Sequence, residues 1–149
     1  MADDTATSND RTISEFRANH GRVGGPFEGA PLLLLHTIGA RTGTPRVSPL
    51  MYLPDRGRYL VFASRGGSDR NPDWYLNLLA HPDTRVEVGD DVVEVHAAEL
   101  TGQERDERYG EQARLHPGYA AYQRKTSRTI PVVALTPTSA PVRAPGSSP

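Results

Sequence analysis

The chain has 149 residues, 36% of them hydrophobic and 23% charged, and it contains no cysteine. That length suits one domain, and the missing thiols exclude a disulfide scaffold, thiol catalysis, iron–sulfur clusters and thiolate zinc. Seventeen basic and eighteen acidic residues leave a net charge of −1, which points away from nucleic acid, and the longest apolar run, Pro31 to Leu35, is far below the roughly 18 residues of a membrane span.

Residues 1–11 are small, polar and unpatterned, and they read as a loose tail, acidic where a signal peptide would be basic. Thr12-Ile13-Ser14-Glu15 has the form of a capping box, which predicts a short helix from Ser14 to His20, stopped by Gly21. A glycine-rich loop to Gly29 follows. Leu32 to Ile38 reads as a buried strand, Val47 to Leu53 as a second and Tyr59 to Ala63 as a third, reached through Pro54-Asp55-Arg56-Gly57. Asn71-Pro72 suggests an N-cap with proline at the first helical position. The helix it opens carries Tyr75, Leu78 and Leu79 on one face and stops before Pro82.

Thr84 to Val88 and Val92 to Ala97 alternate around Gly89-Asp90-Asp91, a hairpin signature. Thr101-Gly102-Gln103-Glu104 is a second capping box and opens a charged helix to Leu115. A last strand spans Thr129 to Thr136, and residues 138–149 read as a disordered Pro/Ser tail. Six strands joined mostly by short turns, with no long helical crossovers, predict an α+β domain over 12–137. Its core would be a mostly antiparallel small barrel with flanking helices.

The five histidines lack metal-ligand spacing, and no Gly-x-Ser-x-Gly elbow is present. The charge is uneven. Between Ala40 and Arg70 six arginines face two aspartates, a local +4 that suits a small polyanion. Two loops in this stretch have the parts of an anion cradle. Gly39 to Arg46 offers Arg41, Thr42, Gly43 and Arg46 between two strands. Ser64 to Asn71 runs from a strand end, through Arg65, into a helix N-terminus, where backbone N–H groups favour an anion. Trp74, just beyond, is a core residue or an aromatic wall for a flat ring. Tyr119 and Tyr122, three apart, are core phenols or substrate-side proton donors.

The segments Leu32–Ile38, Gly39–Arg46, Val47–Leu53, Ala63–Arg65, Asn71–Leu79 and Arg128–Val133 together resemble the deazaflavin-dependent nitroreductase family of actinobacteria. The resemblance implies a split β-barrel binding coenzyme F420, an 8-hydroxy-5-deazaflavin with a phosphate and an oligoglutamate tail. It assigns Arg41, Thr42, Gly43, Arg46 and Arg65 to the phosphate and tail. Ser48, Pro49, Leu50, Ala63, Ser64 and Trp74 would line the ring or its linker. The implied reaction passes a hydride from the reduced cofactor to an electron-poor acceptor: a quinone, an activated alkene or a nitroaromatic. Tyr119 and Tyr122 would shape the acceptor side as candidate catalytic phenols, beside Met51 and His116, which replace tyrosines of the nitroimidazole-activating member. An FMN split-barrel oxidoreductase and a non-catalytic deazaflavin or hydrophobic-ligand carrier are the alternative readings. The implied protein is cytoplasmic, a monomer or homodimer, with membrane proximity left open.

Overall fold

Four consecutive leucines open β1 (Leu32–Ile38), and successive strand residues face opposite sides of a sheet. Leu33 and Leu35 join an interior cluster with Val61, Val86, Val93, Val95 and Leu135, while Leu32 and Leu34 pack outward against Phe16 and Val23. Burial of both faces explains why this strand is continuously apolar rather than alternating. The computed structural model describes residues 4–27 and 29–143.

β1 pairs with β2 (Pro45–Met51) across the 39–44 turn and with β5 (Asp83–Val88) on its other side. The path continues through β6 (Asp91–Leu100), β7 (Val132–Pro137), β4 (Arg58–Phe62) and β3 (Leu53–Asp55), with every pairing antiparallel. Its two ends, β2 and β3, are separated in the chain only by Tyr52. The sheet therefore has to roll until its ends share a corner, a curl that strand twist favours. The result is the α+β split-barrel architecture.

Helices fill the interior and clothe the outside. α1 (Asp4–Ala18) lies over the outer face of β1 and β2, with Phe16 1% exposed. α2 (Asp73–Ala80) inserts Trp74, Tyr75 and Leu78 into the interior cluster. α3 (Gly102–Leu115) and α4 (Gly118–Arg124) cover the opposite outer face, where Leu60, Phe62, Val132 and Ala134 meet Tyr109, Tyr119 and Tyr122.

Several local expectations are corrected. Helix α1 starts at Asp4, so residues 4–11 of the expected tail are helical and Thr12 lies inside the helix rather than at its cap. The second predicted strand divides at Tyr52 into β2 and β3. Pro72, not Asn71, caps α2, because the Asn71 amide is drawn to Arg128. The buried stripe of α2 includes Asn77 and leaves Leu79 58% exposed, since Asn77 makes the buried hydrogen bonds described below. Thr101 caps α3 in extended geometry with no side-chain bond, so the second capping box does not form. β7 starts at Val132, and β8 (Val142–Arg143) in the expected Pro/Ser tail pairs with the start of β6, which makes eight strands. Residues 1–3 and 144–149 of the expected tails lie outside the described residues.

α1 is pinned to the sheet by a buried carboxylate. Arg17 donates from Nε and Nη2 to Glu87 Oε1 and Oε2 at 3.1 and 2.7 Å, and His36 Nε2 lies 2.6 Å from Oε2. Burial pushes the Glu87 pKa up, but the hydrogen bonds from Arg17 and His36 outweigh it and hold the value below 4.5. A depressed carboxylate stabilises the fold above its unfolded value and loses that contribution as pH falls through the folded one. Glu87→Gln should therefore cost about 1–2 kcal/mol in urea unfolding at pH 7. The gap to the unmodified protein should narrow as both are acidified towards about pH 3. A gap that persists unchanged in acid would show that the carboxylate is not what pins α1.

Candidate functional site

β4 ends at Phe62, and the chain reaches α2 through residues 63–71, which include a 3-10 turn at Arg65–Gly67. Arg65, Gly66 and Gly67 stand in succession at φ 45°, 64° and 85°. A left-handed run containing a non-glycine residue is costly and needs support from outside. Arg128, between α4 and β7, supplies it. Its Nε donates to the Ser68 carbonyl at 2.8 Å and its Nη1 to Asn71 Oδ1 at 2.7 Å. Nη2 donates to the carbonyls of Ala63 and Ser64 at 3.1 and 2.9 Å. A planar guanidinium with five fixed donors can satisfy such a set, and an ammonium cannot. Burial is the main force lowering the Arg128 pKa, which Asp69 and Tyr109 oppose. The group starts so high that it stays charged at neutral pH.

The same loop is clamped from α4. Thr126 Oγ1 donates to Asp69 Oδ1 at 2.7 Å, and Lys125 Nζ donates to the Gly66 carbonyl at 3.2 Å. Gly67 is required on two counts: its φ of 85°, and the Tyr122 carbonyl oxygen 2.9 Å from where a Cβ would sit.

The second loop, between β1 and β2, is fastened by Asn77 of α2. This residue is 7% exposed; its Oδ1 accepts the Ala40 N–H at 2.9 Å and its Nδ2 donates to Thr37 Oγ1 at 3.2 Å. Thr42 folds back within the loop, where Oγ1 accepts the Thr44 N–H at 3.2 Å and fills the space beside Gly39. It is not a free-standing hydroxyl, although its proton remains available to donate. Gly43 takes φ 70°. Both loops thus meet α2, one running into its first turn and the other bonded one turn along.

The cations on these loops and at the start of β2 meet no carboxylate among the described residues. Arg41, Arg46, Arg65 and Arg70 are exposed, and among the described residues none of them forms an ion pair. Arg65 reaches only Ser68 Oγ, at 3.5 Å. By contrast, Arg17, Arg58, Arg105, Arg108 and Arg114 all face carboxylates. Asp69, the acid nearest to hand, is already held by Thr126.

The remaining expected site residues divide into two groups. Ser48, Pro49 and Leu50 are half-buried on β2 opposite Leu35, Leu34 and Leu33, and Ala63 and Ser64 are buried at the end of β4. Trp74 is 8% exposed and packs within the interior cluster. On the outer side, Met51, His116, Tyr119 and Tyr122 come together. The Tyr119 hydroxyl lies 3.8 Å from Met51 Sδ, and its ring meets His116 and Tyr122 edge to face at 6.5 and 5.2 Å. Tyr119 also touches Phe62 and Tyr109, and Tyr109 donates to its backbone carbonyl at 2.6 Å. Burial raises the Tyr119 pKa, opposed by Gln112 and aided to a smaller degree by Tyr122, so the phenol keeps its proton at neutral pH.

Sequence reasoning missed the residues that hold these loops, Arg128 and Asn77. Both lie inside segments that carry the family resemblance, which was the available signal. Their partners are far away in the chain, 57–65 residues for Arg128 and 37–40 for Asn77, so no local pattern reveals the role.

The chain is similar to known proteins in both sequence and fold. The family model described as F420H(2)-dependent quinone reductase matches residues 10–137. A Mycobacterium tuberculosis protein named F420H(2)-dependent quinone reductase is 44% identical over 130 residues, covering 81% of this chain and 84% of that protein. Among solved structures, an F420-H2 dependent reductase (FDR-A) superposes with a TM-score of 0.65 at 40% identity, covering 70% of this chain and 93% of its own. A structure described as a domain-swapped dimer gives 0.66 at 34% identity, covering 89% and 99%.

Arg128→Lys separates charge from geometry. It should lower stability by about 2–4 kcal/mol, since the bonds to a charged donor contribute more than neutral ones and several are lost together. Amide hydrogen exchange should accelerate selectively over residues 64–71. Exchange there at the unmodified rate would mean that charge alone, not the fork, secures the loop.

Proposed function

This chain belongs to the F420H(2)-dependent quinone reductase family, and from that premise we propose that it passes a hydride from reduced coenzyme F420 to a quinone. The observation that carries the reading is the pair of arginine loops fastened to α2, with four guanidinium groups that form no ion pair among the described residues. A phosphate and a chain of carboxylates supply the counter-charge those groups lack. The bound cofactor supplies the hydride; this chain's residues orient it and keep water away.

In this reading Arg41, Arg46 and Arg65 hold the phosphate and glutamates, with the Gly43 turn and the Thr42 hydroxyl at the same end. Ser48, Pro49, Leu50, Ala63 and Ser64 border the ring or its linker, and Trp74 supports that wall from the core side. Met51, His116, Tyr119 and Tyr122 border the acceptor. Tyr119 is the better placed proton donor, because its hydroxyl has a weak thioether as its acceptor and its proton is retained at neutral pH. Activated alkenes and nitroaromatics are further acceptors under the same chemistry. No helix among the described residues is long and apolar enough to cross a membrane. The proposal includes a cytoplasmic protein working as a monomer or as a homodimer.

Two measurements test this. Arg41→Ala, Arg46→Ala and Arg65→Ala should each weaken F420 binding by about 1–3 kcal/mol, and affinity should fall with added salt. Unchanged dissociation constants in all three would return the arginines to plain solvent exposure. Tyr119→Phe should leave melting temperature and F420 affinity close to those of the unmodified protein. It should lower menadione-dependent oxidation of reduced F420 by about 10²-fold if the phenol is the general acid. Wild-type rates in a less stable variant would assign Tyr119 to packing, and turnover with FMN and NADPH but no F420 binding would replace the cofactor assignment.

A further inference from the structure

Gln112 on α3 is completely buried, at 0% exposure, yet among the described residues neither its Nε2 nor its Oε1 makes a well-formed hydrogen bond. Native proteins seldom leave a buried amide unsatisfied at both ends, and each such atom costs stability. A well-packed methionine or leucine would avoid that cost. The position of the amide suggests what offsets it. Gln112 and Tyr109 lie three residues apart, on one face of α3. Tyr109 is bonded to the Tyr119 carbonyl at 2.6 Å, and Gln112 is the side chain whose hydrogen-bonding influence lowers the Tyr119 pKa against the rise that burial causes. The phenol itself holds only Met51 Sδ, at 3.8 Å, a weak acceptor on a flexible side chain.

The geometry points to Gln112 as a positioning residue for Tyr119: its Nε2 donates to the phenol oxygen when that hydroxyl turns from Met51 towards the acceptor. This rests on the reading that Tyr119 borders the acceptor. Hydride addition to a quinone leaves negative charge on a ring oxygen. The Tyr119 O–H bond then breaks and the acceptor's O–H bond forms, giving the hydroquinone and a phenolate. Bulk water later returns the proton to Tyr119. A donor at the phenol oxygen strengthens as that oxygen becomes an anion, so Gln112 favours proton release without touching the acceptor. The neighbours His116, Tyr109 and Tyr122 each meet the Tyr119 ring edge to face, and none of the three places a side-chain donor on its oxygen.

Gln112→Met, which keeps volume and removes the amide, is the direct test, with Gln112→Leu as a second variant should one of them fold poorly. Menadione reduction should fall about three- to tenfold in kcat, the factor of one hydrogen bond, with the KM for reduced F420 unchanged. In a Tyr119→Phe background the same substitution should have no further effect. Independently of turnover, the ultraviolet pH titration of the phenols, taken as the difference from Tyr119→Phe, should move Tyr119 upward in Gln112→Met. An unchanged phenol titration together with unchanged kcat in a more stable Gln112→Met protein overturns the proposal. If Tyr119→Phe itself turns over normally, the acceptor-side reading of Tyr119 fails instead. The phenol titration then still reports whether Gln112 contacts it.

Discussion

One guanidinium fixes the loop that the rest of the candidate site is built around. Arg128 draws the carbonyls of Ala63, Ser64 and Ser68 and the amide of Asn71 towards a single point. Without it, the three successive left-handed conformations at residues 65–67 would rest on the clamps from Lys125 and Thr126 and the turn's own backbone bonds. With it, Arg65 and Arg70 are projected outward on a rigid turn, and the first turn of α2 is set against the interior. Asn77 does the matching work for the β1–β2 loop from the same helix. α2 is therefore the common post to which both cationic loops are tied, and the interior burial of Trp74, Tyr75 and Leu78 is what anchors that post.

This arrangement separates two environments across the sheet. At the α2 end the surface carries unpaired arginines on glycine-containing turns, suited to phosphate and carboxylate. On the outer side of β2 and β4 the lining is aromatic and thioether, with phenols that burial keeps protonated. A ligand with an anionic tail and a flat reactive ring matches both at once. In the proposed reading, electrostatic binding lies away from the acceptor side, so tail contacts provide affinity without interfering with the acceptor.

Much of the architecture was legible from local pattern. The continuous leucines of β1 marked a strand buried on both faces, and Pro and Gly around Asp55 marked the turn into β4. Gly89-Asp90 marked the β5–β6 hairpin, and the arginine excess between Ala40 and Arg70 located both loops. What escaped depends on tertiary contact. α1 runs past its apparent capping box because Phe16 and the Arg17–Glu87 pair dock it on the sheet. β8 is a two-residue strand that exists only because β6 offers it an edge. Asn71 looked like an N-cap and is instead a ligand of Arg128, since a distant guanidinium outcompetes the local N–H. The sequence left open how far Trp74 is buried, and only the packing of α2 places its ring in the interior cluster.

The central claim is that the two arginine loops form one anion seat. A nuclear magnetic resonance titration with oxidised F420 tests it most directly, since backbone amides report the place of binding without requiring turnover. If the two loops form one seat, saturable shifts concentrate in residues 39–46 and 64–71 at a single affinity, together with the Arg41, Arg46 and Arg65 Nε resonances. Shifts gathered instead around the open depression lined by Glu15, Asn19, Arg22 and Pro31, with both loops silent, would contradict it.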